Sequence, residues 1–512
     1  MRNSSTDRQI EVMTKLKLIG LLLFIASFAF GQKKDNRLKG LETEIENLVK
    51  KYNAVGLSVA VVENNQIVYS KGFGYRDLDN KLPVNENTVF PVGSITKSFT
   101  SSLIGILENE NKLSVKGKPS LYIPKLKFYN DRMDNSVTIS DLLCHRSGIG
   151  NADGTFSFFP ATNILDLMTR LRYIKPNGAI NDSWIYSNLG YTILGALIET
   201  TSNKNWENNI KDNLFNPLQM NSSSTSNDKM FETNNYSFGY GLSEGKTKKV
   251  LFEQLKNDKP AGGINSTSKD LANYMMMWFN QGTFTDKNIL TKAYVHEAIS
   301  MKAIDNGNPP EDSDPGVYTF GYGYGWKVNS FKGHYKVHHG GNISGFSSQM
   351  ALFPTDKLGI IVLTNQHNSL LPYIVADIIT NRMLKLTLTN PDNYPVKVTD
   401  INTVSSTIKP INKDKKPTHE LTDYCGKYTN PGYGTFEITK EGDNLFINYP
   451  RDKFQLEHQC YDIFLMKATK EMSQYFNPEF YLSFNLNYEG NIETVKINFQ
   501  EEPVEFTKEP TK

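Results

Sequence analysis

A lysine seated at the head of an apolar helix constrains this 512-residue chain more than any other feature. The stretch Phe90-Pro91-Val92-Gly93-Ser94-Ile95-Thr96-Lys97-Ser98-Phe99-Thr100 reads as a loop running into a helix. Phe99, Leu103, Ile106 and Leu107 follow at helical spacing as an apolar stripe. Positions three apart on a helix share a face, so the Ser94 hydroxyl and the Lys97 amine can touch. Serine is a weak nucleophile until a base sits beside it, and lysine is a base only where burial or a nearby cation keeps it neutral. The N-terminal end of the helix adds outward-pointing N–H groups that favour developing negative charge. Taken alone, Ser-x-x-Lys describes a helix start with a solvated lysine equally well, so the reading depends on partners elsewhere in the chain.

The length predicts two or three domains. With 12% aromatic and 21% charged residues the composition is globular, with ample material for a core. A net charge of +2 without a basic stripe argues against nucleic acid as a partner. Near the N-terminus, Lys15 and Lys17 precede the apolar run Leu18 to Phe30, and the small residues Ala29 and Gly31 fit a cut before Gln32. This is the order of a secretory signal over residues 1–31, with Met13 as an alternative start, in a run too short to span a bilayer comfortably. The expectation is an exported protein, periplasmic or extracellular, with no stable membrane span after cleavage. Cys144, Cys425 and Cys460 are too few for a disulfide framework, and whether Cys425 pairs with Cys460 stays open.

Along the chain, Leu41, Ile45 and Leu48 mark a helix, and Gly56–Val62 and Ile67–Tyr75 a β-hairpin turned at Glu63-Asn64-Asn65-Gln66. Ser140 or Asp141 suits the cap of a short helix ending before Gly148, with His145 as a structural histidine at its end. Tyr186 and Asn188 precede the apolar helix from Leu189; in extended backbone alternate residues face the same way, so phenol and carboxamide would project together. Residues 204–260 are polar and carry no clear pattern. Ala261-Gly262-Gly263-Ile264 reads as a tight turn and Ser268 as a helix start. His338-His339-Gly340-Gly341 precedes a hairpin, Met350–Phe353 and Leu358–Leu363, joined at Pro354-Thr355-Asp356-Lys357. The three histidines His334, His338 and His339 lack a companion carboxylate, and no metal site is assigned. Residues 394–419 have linker composition, and 420–512 alternate with period two between Gly, Asn and Asp turns, as a small separate β domain does.

Ser94-x-x-Lys97, Tyr186-x-Asn188 and His338-x-Gly340, in this order, resemble the serine β-lactamase and penicillin-binding-protein superfamily, and the tyrosine resembles its class C branch and related esterases and D-stereospecific peptidases. The resemblance spans roughly residues 35–385 and includes Gly263-Ile264-Asn265-Ser266-Thr267 and the run Gly341 to Ser348. It implies an α/β (α+β) catalytic domain over 32–393, an antiparallel sheet flanked by helices plus an all-α subdomain. The C-terminal segment, through Tyr424-x-Gly426-x-Tyr428 and Leu456-x-His458-x-x-Tyr461-x-x-Phe464, resembles a lipocalin-like barrel.

Carried over, Ser94 is the acylated nucleophile and Lys97 takes or relays its proton. Tyr186 shares the base role with a phenol pKa lowered by Lys97. Asn188 holds substrate and the lysine amine, and the oxyanion hole is formed by the N–H groups of Ser94 and Gly341. His338 heads the third motif where lysine stands in β-lactamases and transpeptidases. Histidine supplies less positive charge at neutral pH, and His339 departs from the usual Thr or Ser; both point to the esterase and peptidase side. The function implied is hydrolysis of amide or ester bonds, in D-residue peptides among others, through an acyl-enzyme and without a cofactor. β-Lactamase or D,D-carboxypeptidase is the alternative, and an inactive ligand-binding or sensor protein the alternative of another class. Substrates would be a small peptide, an ester or a β-lactam-like compound, with homo-oligomerisation left open.

Overall fold

The structure, a computed structural model, describes residues 35–151, 158–243, 245–306, 316–387, 414–468, 480–499 and 502–510. The leader and most of the linker lie outside them. β1 (Gly56–Glu63) and β2 (Gln66–Asp77) form the expected hairpin. Its turn residues Asn64 and Asn65 sit at φ 51° and 62°, in the left-handed region that asparagine tolerates. β3 (Leu82–Pro83), β4 (Ala303–Asn306), β5 (Val317–Tyr322), β6 (Lys327–Phe331), β7 (His334–Ile343), β8 (Phe346–Phe353) and β9 (Leu358–Thr364) complete a nine-stranded sheet in the order β4-β5-β6-β7-β8-β9-β1-β2-β3, antiparallel throughout.

β1 reads as continuously apolar because both of its faces are covered. Leu57, Val59 and Val61 pack in a core with α1 (Leu41–Lys51) and α5 (Leu371–Met383). Ala60 and Val62 face the other way, into the larger core that holds α2 (Thr96–Asn109), α3 (Asn188–Ser202) and α4 (Ser268–Phe279). Inside that core Phe99 of α2 stacks on Tyr274 of α4 at 3.7 Å between ring centroids.

Two local expectations are corrected. The short helix Ile139–Leu143 is capped by Thr138, whose extended backbone lets its hydroxyl accept the Asp141 N–H while the Asp141 carboxylate returns the bond. Ala261-Gly262 is the end of a one-turn helix, Lys259–Gly262, started by Pro260, and not a free turn. The unassigned polar stretch contains a hairpin, Gly239–Ser243 against Lys246–Val250. The cysteines are unpaired.

Eight further strands, β10 (Gly426–Asn430), β11 (Gly434–Glu441), β12 (Asn444–Asn448), β13 (Lys453–Cys460), β14 (Ile463–Ala468), β15 (Tyr481–Leu486), β16 (Ile492–Ile497) and β17 (Val504–Lys508), form a closed antiparallel barrel, sealed where Tyr428 and Thr429 pair with Lys508 and Thr507. Closure removes the edges that an open sheet of this length would expose. The barrel interior receives two residues from the N-terminal domain: Phe158 lies 4.6 Å from Tyr449 and 5.5 Å from Phe499, and Phe159 lies 5.6 Å from Phe506, ring to ring. Arg170 fastens the joint by donating to the carbonyls of Phe159 and Tyr433, each at 3.0 Å.

Candidate active site

Ser94 lies in a single 3-10 turn, Gly93–Ile95, leading into α2. Gly93 (φ 56°) is needed twice over: for its left-handed backbone, and because a Cβ there would fall 2.9 Å from the Asn342 nitrogen of β7. Ser94 is partly exposed while its neighbours Val92, Gly93, Ile95 and Thr96 are buried, so the hydroxyl is what the turn presents outward.

Lys97 is 0% exposed. Burial holds its amine well below the ordinary lysine range, against a smaller opposing pull from Asp258. A neutral amine has two N–H bonds and one lone pair. Its nitrogen lies 2.7 Å from Asn188 Oδ1, 2.9 Å from the Ala261 carbonyl oxygen and 3.1 Å from Ser94 Oγ. The two carbonyl oxygens only accept, so they take the N–H bonds and the lone pair is left facing the serine hydroxyl.

Tyr186 and Asn188 come from one segment. Ser187 caps α3 by accepting the Gly190 N–H, which leaves Tyr186 in the extended lead-in and Asn188 on the first turn. The Lys97 nitrogen stands 4.7 Å from the centre of the Tyr186 ring. Burial pushes the phenol above its usual range and outweighs Ser94, the neighbour that favours the ionised phenol. The expectation of a lowered phenol pKa is therefore corrected, since a neutral Lys97 over the ring exerts no pull toward phenolate.

The two histidines of the third motif are separated by the alternation of β7. His338 shares a face with Lys336, and its Nδ1 lies 3.2 Å from the Gln349 amide nitrogen, away from Ser94. The expected placement of His338 beside substrate is corrected: it is His339, 3% exposed, that faces inward, with its ring 6.3 Å from that of Tyr186. His339 Nδ1 lies 2.6 Å from the Gly340 carbonyl oxygen, which can only accept, so Nδ1 carries the proton. Nε2 therefore accepts, from the Tyr322 hydroxyl at 2.8 Å. Burial draws the His339 pKa down to about 3. The third motif thus offers a neutral imidazole with both nitrogens engaged.

Gly340 turns its missing side chain toward Tyr373, whose hydroxyl sits 1.7 Å from where a Cβ would be. Gly341 is flush with the nucleophile: a Cβ there would fall 2.0 Å from the Val92 carbonyl oxygen and 3.0 Å from the Ser94 nitrogen. The structure brings together Ser94, Lys97, Tyr186, Asn188 and Gly341; it turns His338 and Gly340 to the opposite face. Sequence reasoning missed Ala261, which carries no side-chain signal, and His339 with Tyr322. It also missed Asn151, whose Oδ1 takes the Asn188 N–H at 2.6 Å. Among the described residues no group of His, Cys, Asp and Glu is arranged to hold a metal, and no helix is long and apolar enough to cross a membrane.

Residues 41–377, which contain this whole constellation, match the Beta-lactamase family. The chain belongs to the beta-lactamase family. Residues 411–508, the barrel, match a domain of unknown function, DUF3471. Penicillin-binding protein 4* of Bacillus subtilis (strain 168) is 28% identical over 355 residues, covering 65% of this chain and 73% of that protein. Protein flp of Staphylococcus aureus (strain MW2) is 27% identical over 348 residues, covering 66% of this chain and 65% of that protein. The octameric penicillin-binding protein homologue from Pyrococcus abyssi overlays with a TM-score of 0.60 at 23% identity, covering 92% of this chain and 100% of that one. A class C beta-lactamase overlays at 0.55 and 24% identity, over 70% and 98%. The two structural likenesses are likenesses of fold.

In this beta-lactamase-family chain a cavity of about 670 Å³ runs past Gly262 and Ile343, walled by Asn163, Lys259, Asn265 and, from the barrel, Arg451. None of Ser94, Lys97, Tyr186 or Asn188 lines it.

Proposed function

We propose that this chain is an exported serine hydrolase that cleaves amide or ester bonds through an acyl-enzyme on Ser94, acting on small peptides, D-residue peptides among them, or on esters. The observation that carries the reading is the Lys97 amine: fully buried, held well below the ordinary lysine range by that burial, 2.7 and 2.9 Å from two carbonyl oxygens and 3.1 Å from the Ser94 hydroxyl. A structural lysine would have no reason to be held this way, because burying it uncharged is costly.

Ser94 Oγ attacks the carbonyl carbon of the scissile bond, and its proton passes to Lys97 Nζ. Charge gathers on the carbonyl oxygen, against the Ser94 N–H and the backbone of the Gly341–Asn342 stretch. As the C–N or C–O bond breaks, Tyr186 gives its hydroxyl proton to the leaving group and takes the one held by Lys97. Water then attacks the ester and loses a proton to the same amine, which returns it to Ser94 Oγ as the acyl bond breaks and the acid leaves. The leader, Lys15 to Gly31, supports export.

The engaged, neutral His339 supports substrates without a carboxylate at the third motif, and so weighs against β-lactams and D-alanyl carboxylates. The other nearby cation, Lys327, is paired with Asp305 at 3.1 Å. A p-nitrophenyl ester assay run beside nitrocefin tests the ranking: ester hydrolysis that Ser94→Ala abolishes is the expected result, and fast nitrocefin turnover without esterase activity reverses it. Fluorophosphonate labelling followed by intact mass is expected to give one adduct on the wild type and none on Ser94→Ala. No adduct on either would make the chain a binding or sensing protein.

A further inference from the structure

We infer that His145 is a positioning residue for Tyr186, its carbonyl oxygen and ring nitrogen acting as the two rungs of a missing partner strand. The inference rests on the hydrolase reading of this site. Residues 184–187 belong to no helix or strand; the Ser187 hydroxyl ties the segment to α3 and to the Gly150 carbonyl, but the backbone N–H groups on either side of Tyr186 still need acceptors. In extended chain the N–H groups of alternate residues point the same way and ask for two acceptors on one side. His145 supplies both. Its carbonyl oxygen accepts the Ile185 N–H at 3.0 Å, and its Nδ1 accepts the Ser187 N–H at 3.1 Å. One residue can hold both ends because its own backbone turns there, at φ 63°. The chain leaves after the first rung and the side chain stands in for the second.

The ring is also a wall. It is 1% exposed, lies 4.5 Å from the Tyr186 ring and 4.7 Å from that of Tyr322, the tyrosine that holds His339. Since Nδ1 accepts, the proton sits on Nε2, which has no hydrogen-bond partner. Burial first, with smaller contributions from the His339 imidazole and the Lys327 ammonium, resists a second proton. A protonated ring would turn Nδ1 into a donor and break the bond to Ser187. His145 touches neither substrate nor the reacting atoms as placed here; it acts through Tyr186.

Two substitutions separate this from plain packing. His145→Phe keeps the ring and removes the acceptor. His145→Asn loses the ring but keeps an oxygen where Nδ1 stands and tolerates left-handed backbone. On an ester substrate, Phe is expected to lower kcat roughly tenfold to hundredfold with KM moving less than about threefold, because a buried N–H is left unpaired beside a group that acts in the transition state. Asn is expected to stay within about fivefold of wild type by the same reasoning. Wild-type kcat in the Phe variant, or a folded Asn variant that has lost a hundredfold, overturns the inference. If the Phe variant does not fold, the Asn result decides it alone. Long-range ¹H–¹⁵N spectra of the wild type, which need no substrate, are expected to show His145 as the Nε2–H tautomer through neutral pH. An Nδ1–H tautomer or an imidazolium there overturns it. Ser94-dependent hydrolysis by the wild type tests the hydrolase reading separately.

Discussion

Two interiors lie in this molecule, and they are filled in opposite ways. Where α2, α3 and β7 meet, the buried side chains are Lys97, His145 and His339, with Tyr186 and Asn188 closing over them. Inside the barrel the fill is aromatic rings, two of them, Phe158 and Phe159, lent by the catalytic half. The first interior holds groups whose burial costs free energy and gives each of them a specific partner. The second buries carbon, which is favourable without any such arrangement. A protein keeps the first kind of interior for chemistry and the second for cohesion, and the difference says where function sits without reference to cavity size.

That contrast breaks most directly at the nucleophile. Ser94→Ala should lower kcat/KM by on the order of 10⁴-fold or more, and Lys97→Ala by roughly 10²–10⁴-fold, with melting temperatures that do not track the activity loss. The pH profile sharpens it. Lys97 must be neutral to accept the serine proton, so activity falls as pH drops through its depressed pKa. Tyr186, pushed up, should add no alkaline limb in that profile. Activity that persists in Lys97→Ala would mean the buried amine is structural.

The barrel should answer in stability and not in chemistry. Phe159→Ala, deleting a ring that is 2% exposed, is expected to cost about 3–5 kcal/mol by calorimetry or denaturant unfolding. An undiminished melting temperature would mean that the two halves do not depend on this plug.

A smaller effect comes from acid. His339 titrates near 3 when folded, against an ordinary value of about 6.5 unfolded. Between those values the unfolded chain binds a proton the native one refuses, so this group makes stability fall as pH falls through that window and adds nothing to the slope above it. His339→Gln should flatten that limb. A limb that is identical in the variant would place the histidine in water.

The depth to which the site was legible follows the range of the contacts. Ser94 and Lys97 are one helical turn apart, and local spacing sufficed. Gly93 and Gly341 were legible as glycines, but their reason, a strand passing within contact of a turn some 250 residues earlier, is long-range by nature. The barrel was legible from its period-two strands. Its plug was not, because nothing in Phe158-Phe159-Pro160 says which rings it will meet. The phase of β7 was available and misread: a strand's faces alternate, Lys336 lies on the face turned toward Asp377 of α5, and His338 two residues on must share it.

That misreading yields the smallest expected effect and the finest test of the comparison. His338 and His339 are neighbours in sequence, identical in chemistry and opposite in surroundings. His339 has both nitrogens engaged, against Gly340 and Tyr322, within reach of Tyr186. His338 has one contact, with Gln349, on the face that carries Lys336. Replacing His338 with Gln should leave kcat/KM within about threefold, as for a residue that does not face Ser94 or Tyr186. The same change at His339 strands the Tyr322 hydroxyl or the Gly340 carbonyl and should lower kcat by roughly tenfold. If the two variants exchange places, with His338 the sensitive one, then the inward face of β7 is not the face that works, and the neutral third motif that argues against carboxylate substrates would have to be given up with it.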